Sequence, residues 1–349
     1  MKNFSLPAGN IRAHIVCRGS ANECGRQYGE AARALIAQEA ELFGYGGKVT
    51  GEMKNFAGFA IRSIRDHAPE ILSELEGIAA GSNLPLEVLL MMNVWESVAF
   101  REMPDRCTTF LLRASEYGSI AAKNNDGPEY ERKTAPFVLR EVYPDKGIPF
   151  IQVTYAGWLS GLDMMNSEGL ANTHGSVGSV LLRNGNRLDI RLQCYKLMKE
   201  CRTVPEFCRR LPEVPLTGKG FSIALADRQK NNAVVEAAVP QIVIREKDAG
   251  FAFSTNLYHA PELAGCDART PEARKLNSCR KEFLERQEKP HSFEDLKSLM
   301  RTHGEFAPCR HGSGKSSSTF WSMIALPEAG KLLISPDAPC KSEYIEFDL

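Results

Sequence analysis

Apolar residues recur at helical spacing through roughly the first hundred positions and mostly at strand-like spacing after them, so the chain changes its dominant period once, close to residue 107. After a strand-like run at Ile11–Cys17, the residues Cys24, Tyr28, Ala31, Leu35 and Leu42 mark one face of a helix over Asn22–Phe43. A Gly/Lys-rich break precedes a weaker helix at Glu52–Asp66. Pro69 suits a first helical turn, with Ile71, Leu72, Leu75, Ile78 and Ala79 on one face and Gly81 as the stop. Pro85 starts a further helix, with Leu86, Leu89, Leu90 and Val94 apolar, running to about Phe100.

Past that point the pattern predicts strands at Cys107–Arg113, Ser119–Asn124, Phe137–Tyr143, Phe150–Tyr155 and Gly169–His174, separated by Gly, Asp or Pro turns. Helices are expected at Arg187–Glu200 and Val204–Leu211, with Pro212–Gly220 as a loop. Strands resume at Phe221–Ala226, Ala233–Ala238, Ile242–Arg245 and Phe251–Ser254; helices follow at Pro271–Gln287 and Phe293–Arg301. Thr319–Leu326 and Lys331–Ser335 form a closing hairpin. Asn124-Asn125-Asp126-Gly127 reads as the turn ending the second strand of this region, and the Asp163–Leu170 stretch also reads as turn chemistry. Strand blocks interleaved with paired helices suggest sheets covered by helices on their outer faces.

Composition narrows the classes. The 349 residues are 43% hydrophobic and 25% charged with zero formal net charge, as in globular proteins. No basic block with interleaved aromatics points to nucleic acid. No apolar run approaches the ~18 residues of a membrane span, and Asn93 breaks the longest. Ten scattered cysteines and a start without signal-peptide character imply reduced thiols in a cytoplasm. There is no Cys-x-x-Cys pair and no His-Glu-x-x-His, so no metal site is expected. Gly312-Ser-Gly-Lys315-Ser316 is no phosphate loop, because Cys309 stands where that motif needs its first glycine.

The period change places one thiol conspicuously. Cys107 follows Pro104-Asp105-Arg106, an expected exposed loop, and opens a strand. Cutting the Arg106–Cys107 bond would give one residue both a nucleophile and, in its own α-amine of pKa about 7.7–8.0, a base. A hairpin could bring the carboxylate of Asp126 near that amine. Ser254-Thr255-Asn256, at a strand end, offers an amide N–H donor to a developing oxyanion. A Cys–His pair is the competing arrangement, with His174, His259 or His311 as partner.

Taken in order, Glu23–Gly29, Pro69–Gly81, Cys107-Thr-Thr109, Asn124-Asn-Asp126, Met165–Gly169, Ser254-Thr-Asn256, Cys309-Arg-His311 and Ala338-Pro-Cys340-Lys resemble the acyl-coenzyme A:isopenicillin N acyltransferase family of N-terminal nucleophile hydrolases over nearly the whole chain. The resemblance implies an α+β fold, a four-layer αββα sandwich. It implies that Cys107 is freed by self-cleavage after Arg106, giving an α chain of residues 1–106 and a β chain of residues 107–349 within one structural domain. Asp126 matches the aspartate orienting the nucleophile and its amine, Asn256 the oxyanion asparagine, and Arg310 an arginine near the catalytic centre. Arg106 stands where the penicillin-making enzyme has glycine. Lys123 stands where bile-salt and penicillin V hydrolases have arginine.

The expected activity is that of an amidohydrolase or acyltransferase for a small N-acyl amine or amino-acid conjugate, through an acyl-Cys107 intermediate. It requires no cofactor, with a coenzyme A thioester as an acyl donor the chemistry would accept. A Cys–His hydrolase without cleavage and a processed, non-catalytic binding protein are the alternatives. Partners would be the small-molecule substrate and the two chains of one precursor, with homo-oligomerisation open.

Overall fold

The computed structural model describes residues 9–46, 48–95, 107–114, 116–179, 185–245, 247–313 and 316–349. Among them the strands form two large sheets. The first is ordered β1 (Ile11–Gly19), β4 (Phe137–Pro144), β5 (Phe150–Tyr155), β6 (Met164–Asn166), β7 (Leu170–Val177), β10 (Gly220–Asp227), β11 (Asn232–Ala238) and β12 (Gln241–Arg245). The second is ordered β13 (Phe251–Ser254), β2 (Thr108–Ala114), β3 (Gly118–Pro128), β14 (Ser317–Leu326), β15 (Lys331–Ser335) and β16 (Ile345–Asp348). All neighbours in both are antiparallel except β1, which runs parallel to β4. A short parallel pair, β8 (Leu188–Asp189) and β9 (Leu216–Thr217), lies apart from both.

Alternating side chains explain the layering. Along β2, Phe110 and Leu112 pack outward on Leu284, Leu296 and Met300 of α8 (Pro271–Glu285) and α9 (Phe293–Met300), while Leu111 packs inward on Ala224 and Val234 of the first sheet. Phe137, Leu139 and Val153 meet Trp321, Met323 and Ile334 in the same inter-sheet layer. The outer face of the first sheet, including Val138, Phe150 and Ile223, is covered by α1 (Ala21–Ala31), α2 (Arg33–Leu42), α3 (Gly51–His67), α4 (Pro69–Ser82), α5 (Leu86–Leu90), α6 (Ile190–Glu200) and α7 (Val204–Arg210). The result is the four-layer αββα sandwich that the resemblance implies. No helix among the described residues is long and apolar enough to cross a membrane.

Several expected boundaries shift for identifiable reasons. The helix over Asn22–Phe43 is two helices, broken at Ala32 (φ −103°, ψ 11°). Gly81 does not stop α4, which ends one residue later with Asn83 left-handed at φ 61°. Gly81 instead permits close contact: a Cβ there would strike the carbonyl oxygen of Arg26 in α1. The helix from Pro85 widens into a π turn at Met91–Trp95, where Asn93 donates to the carbonyls of Leu89 and Gly157. Its continuation to Phe100 lies outside the described residues. Asn124–Gly127 is not a turn, because β3 runs on to Pro128 against β14. The Asp163–Leu170 stretch contains β6, and a third strand, β16, follows the closing hairpin.

Candidate active site

Cys107 immediately precedes β2, a strand flanked by β3 and β13. Thr108 pairs with Asn124, so continuing the register by one residue sets Cys107 opposite Asn125 on the inner face. The Cys107 Sγ donates to Asn125 Oδ1 at 3.5 Å. On the other flank Ser254 pairs with Thr109, which brings Asn256 level with Cys107 two residues later.

Arg280, from α8, ties these elements together. Its Nη2 donates to the Cys107 carbonyl (2.9 Å) and to Thr108 Oγ1 (2.7 Å), and its Nη1 donates to Asn256 Oδ1 (3.0 Å) and Asn277 Oδ1 (2.7 Å). Arg280 is 1% exposed, so water does not compete for these bonds.

Asp126 is also buried, and its Oδ1 accepts from Thr319 Oγ1 at 2.7 Å. Among the described residues its Oδ2 has no hydrogen-bond partner. Burial pushes the Asp126 carboxyl from 3.8 up to about 6, against the opposing pull of Arg280, the Thr319 hydroxyl, Arg310 and Lys123. A raised acid pKa means that the folded chain holds the proton more tightly than the unfolded one. This stabilisation is full below the unfolded value of 3.8 and is lost as pH rises through about 6. In denaturant titrations, measured relative to Cys107→Ala/Asp126→Asn, the Cys107→Ala chain should therefore lose about 3 kcal/mol of stability across that interval, from a shift of about two units. In Cys107→Ala/Asp126→Asn this contribution should vanish; an unchanged pH dependence would contradict the assignment.

Cys107, Asn125 and Asp126 line a cavity of about 630 Å³. Leu42, Phe43, Tyr155, Trp158, Phe221 and Trp321 give it broad apolar walls. Polar groups on it include Asp163, His174, Ser176 and Lys219. Behind this wall the Lys123 Nζ donates to Asp163 Oδ2 at 2.6 Å, with His174 Nδ1 3.0 Å from the same oxygen and 3.3 Å from the ammonium. Burial raises Asp163, but His174 and Lys123 outweigh it and hold the carboxyl below its ordinary value.

The structure thus brings Cys107 and Asp126 to one cavity and sets Asn256 behind Cys107. Asn256 is fully buried, and its Nδ2 donates to the Ser176 carbonyl at 2.8 Å, which engages one of the amide's two hydrogens. Arg310 is more remote: its Nη1 donates to the Glu305 carbonyl, and it reaches the centre through its charge on Asp126 and its backbone bonds to Thr319. Arg106 lies outside the described residues. Of the three candidate histidines only His174 is on the cavity wall. His259 is held neutral at about 3 by burial, then by Arg245 and Lys281, and binds Glu236 through its backbone N–H. His311 faces Cys309 and Cys340 instead. Arg280 carries no local sequence signal; only the cross-strand register and α8 packing identify it.

Comparison with known proteins bears on what such a site does. The family model described as acyl-coenzyme A:6-aminopenicillanic acid acyl-transferase matches residues 114–339. The 40 kDa form of acyl-coenzyme A:6-aminopenicillanic-acid-acyltransferase from Emericella nidulans is 24% identical over 165 residues, covering 45% of this chain and 45% of that protein. The match therefore spans less than half the length of that curated relative. The N-acylethanolamine-hydrolyzing acid amidase ortholog of Caenorhabditis elegans is 13% identical, with 70% of this chain and 100% of that one covered and a TM-score of 0.47. Penicillin V acylase from Agrobacterium tumefaciens is 14% identical, with coverages of 70% and 86% and a TM-score of 0.45.

Proposed function

The chain belongs to the acyl-coenzyme A:6-aminopenicillanic acid acyl-transferase family, and from that premise we propose a self-processing cysteine amidohydrolase or acyltransferase acting on a small N-acyl amine or amino-acid conjugate. The observation that carries this reading is the Cys107 thiol on the cavity wall with the Asp126 carboxyl, whose Oδ2 has no partner among the described residues, on the same wall. Cleavage of the Arg106–Cys107 bond converts the Cys107 backbone nitrogen into an amine with additional hydrogens. One of them can satisfy Asp126 Oδ2.

The amine accepts the thiol proton, and the sulfur attacks the acyl carbon of an amide or thioester. The second Nδ2 hydrogen of Asn256 and nearby backbone N–H groups hold the oxyanion. Collapse expels an amine or thiol, which takes up the proton, and leaves acyl-Cys107. Water or an amine then displaces Cys107 and restores the thiol. The apolar walls suit the acyl group, and a coenzyme A thioester fits this chemistry as a donor. The cysteine usage supports the cytoplasm as the compartment.

After the cut, the segment 1–106 remains bound. Its β1 pairs with β4 from Ile11 to Gly19, and Glu74 of α4 forms a buried ion pair with Arg140 of β4 at 2.7 Å.

One observation favours a second reading: His174, paired with Asp163, lines the same cavity and could serve as an imidazole base. His174→Gln separates the two. With the terminal amine as base, a correctly cleaved His174→Gln enzyme keeps kcat within about tenfold of the parent. A loss on the order of 10⁴-fold, the scale of a missing triad member, would assign the base to His174.

A further inference from the structure

Four side chains from two stretches of the chain converge outside the cavity. His303 follows α9, Cys309 and His311 precede β14, and Cys340 lies in the turn after β15. Their ligand atoms all lie within 4.8 Å of one another. Cys309 Sγ is 3.5 Å from Cys340 Sγ and 3.7 Å from His311 Nε2; His311 Nε2 is 3.0 Å from Cys340 Sγ and 3.3 Å from His303 Nε2.

Hydrogen bonding does not account for this arrangement. A ring nitrogen carries one hydrogen or one lone pair, yet His311 Nε2 has three polar neighbours at once. A tetrahedral ion does account for it. Bonds of about 2.3 Å to sulfur and about 2.05 Å to nitrogen give edges of about 3.8 Å between sulfurs, about 3.6 Å between sulfur and nitrogen and about 3.3 Å between nitrogens. Three of the four separations lie within about 0.3 Å of those edges, and the His311–Cys340 distance of 3.0 Å is shorter by about 0.6 Å.

The geometry points to a structural Zn²⁺ site formed by His303, Cys309, His311 and Cys340. Two thiolates and two imidazoles suit a borderline ion and not Mg²⁺ or Ca²⁺, which require oxygen. Four protein ligands leave no open position, which marks a structural centre. Both thiols release their protons on binding. The frame is already set: the Cys309 N–H donates to the Thr302 carbonyl, the His311 backbone bridges Ser318, and the Lys341 N–H closes the Cys340 turn on the Ala338 carbonyl. The ion would clamp the 303–311 segment to the 338–341 turn. That segment carries Arg310, whose backbone bonds Thr319, the partner of Asp126. This inference is independent of the acyl-transfer reading.

The test uses the full chain purified with reductant, stripped with a chelator, reloaded with Zn²⁺ or Co²⁺ and dialysed against metal-free buffer. The chain is expected to retain one Zn²⁺, and with Co²⁺ to show tetrahedral d–d bands and thiolate-to-cobalt charge transfer. Cys340→Ser and His303→Ala, both at exposed positions, should lose the bound ion, whereas Cys279→Ser should keep it. Zn²⁺ should also slow alkylation of Cys340 in the unsubstituted chain, a readout that needs no variant to fold. Metal retention no higher than in Cys340→Ser, a cobalt spectrum without thiolate charge transfer, or a Cys309–Cys340 disulfide in reductant-purified chain would each overturn the site.

Discussion

Cys107→Ala is expected to give a single uncut chain with kcat lowered on the order of 10⁶-fold, the scale on which removal of a covalent nucleophile acts. Both losses have one cause. In the proposed mechanism the thiol that attacks the substrate also attacks the preceding peptide carbonyl, so its deletion would also withhold the α-amine. Folding should survive, because Cys107 precedes β2 and its small side chain makes a long thiol hydrogen bond of 3.5 Å with Asn125, a weak contact whose loss costs little. The variant should elute and melt as a folded protein, with no fragment beginning at residue 107. A Cys107→Ala chain that is still cut after Arg106, or still turns over, would place the nucleophile elsewhere.

Arg280→Met has the second largest expected effect. The substitution keeps an unbranched side chain but withdraws the guanidinium donors from the Cys107 carbonyl, Thr108 Oγ1, Asn256 Oδ1 and Asn277 Oδ1. It also removes the cation that opposes burial most strongly at Asp126. Leaving buried acceptors unpaired and a buried carboxyl without its counter-charge should cost about 3–5 kcal/mol, and the melting temperature should fall by roughly 5–10 °C. Asn256 loses the donor that orients it, so kcat should fall on the order of 10²-fold. Arg280→Lys restores the charge but not the planar fork. It should recover Asp126 titration while leaving Asn256 misaligned, so a pH profile close to the parent's with depressed kcat separates positioning from charge. Parental stability and kcat in Arg280→Met would show that the fork is dispensable.

Local pattern revealed much of the fold. Phe150–Tyr155, Phe251–Ser254 and Lys331–Ser335 have the expected bounds, because turn residues on both sides fence each apolar run. β6, of three residues, is too short to show a period. Asn124–Gly127 misleads for another reason: its residue types favour turns, but pairing with β14 supplies the backbone bonds and the Asn124 amide caps the Met300 and Pro308 carbonyls. Tertiary context prevails there over local preference. Cys107 and Asp126 were legible through the period change and the family resemblance. Arg280 was not, since an arginine in a charged helix such as Pro271–Glu285 reads as solvent-facing until the strand ends it binds are in place. Lys123 was legible only as a departure from a pattern. Its burial against Asp163 comes from facing the first sheet across the inter-sheet layer.

The most direct test of the account is the intact mass of the active, unsubstituted protein, taken before and after a brief exposure to an acyl donor under acid quench. The expected result is two co-purifying chains meeting at the Arg106–Cys107 bond, with the acyl mass on the chain that begins at Cys107 and peptide mapping placing it on that residue. Active protein that remains one chain, or carries the acyl group on any other residue, would contradict it.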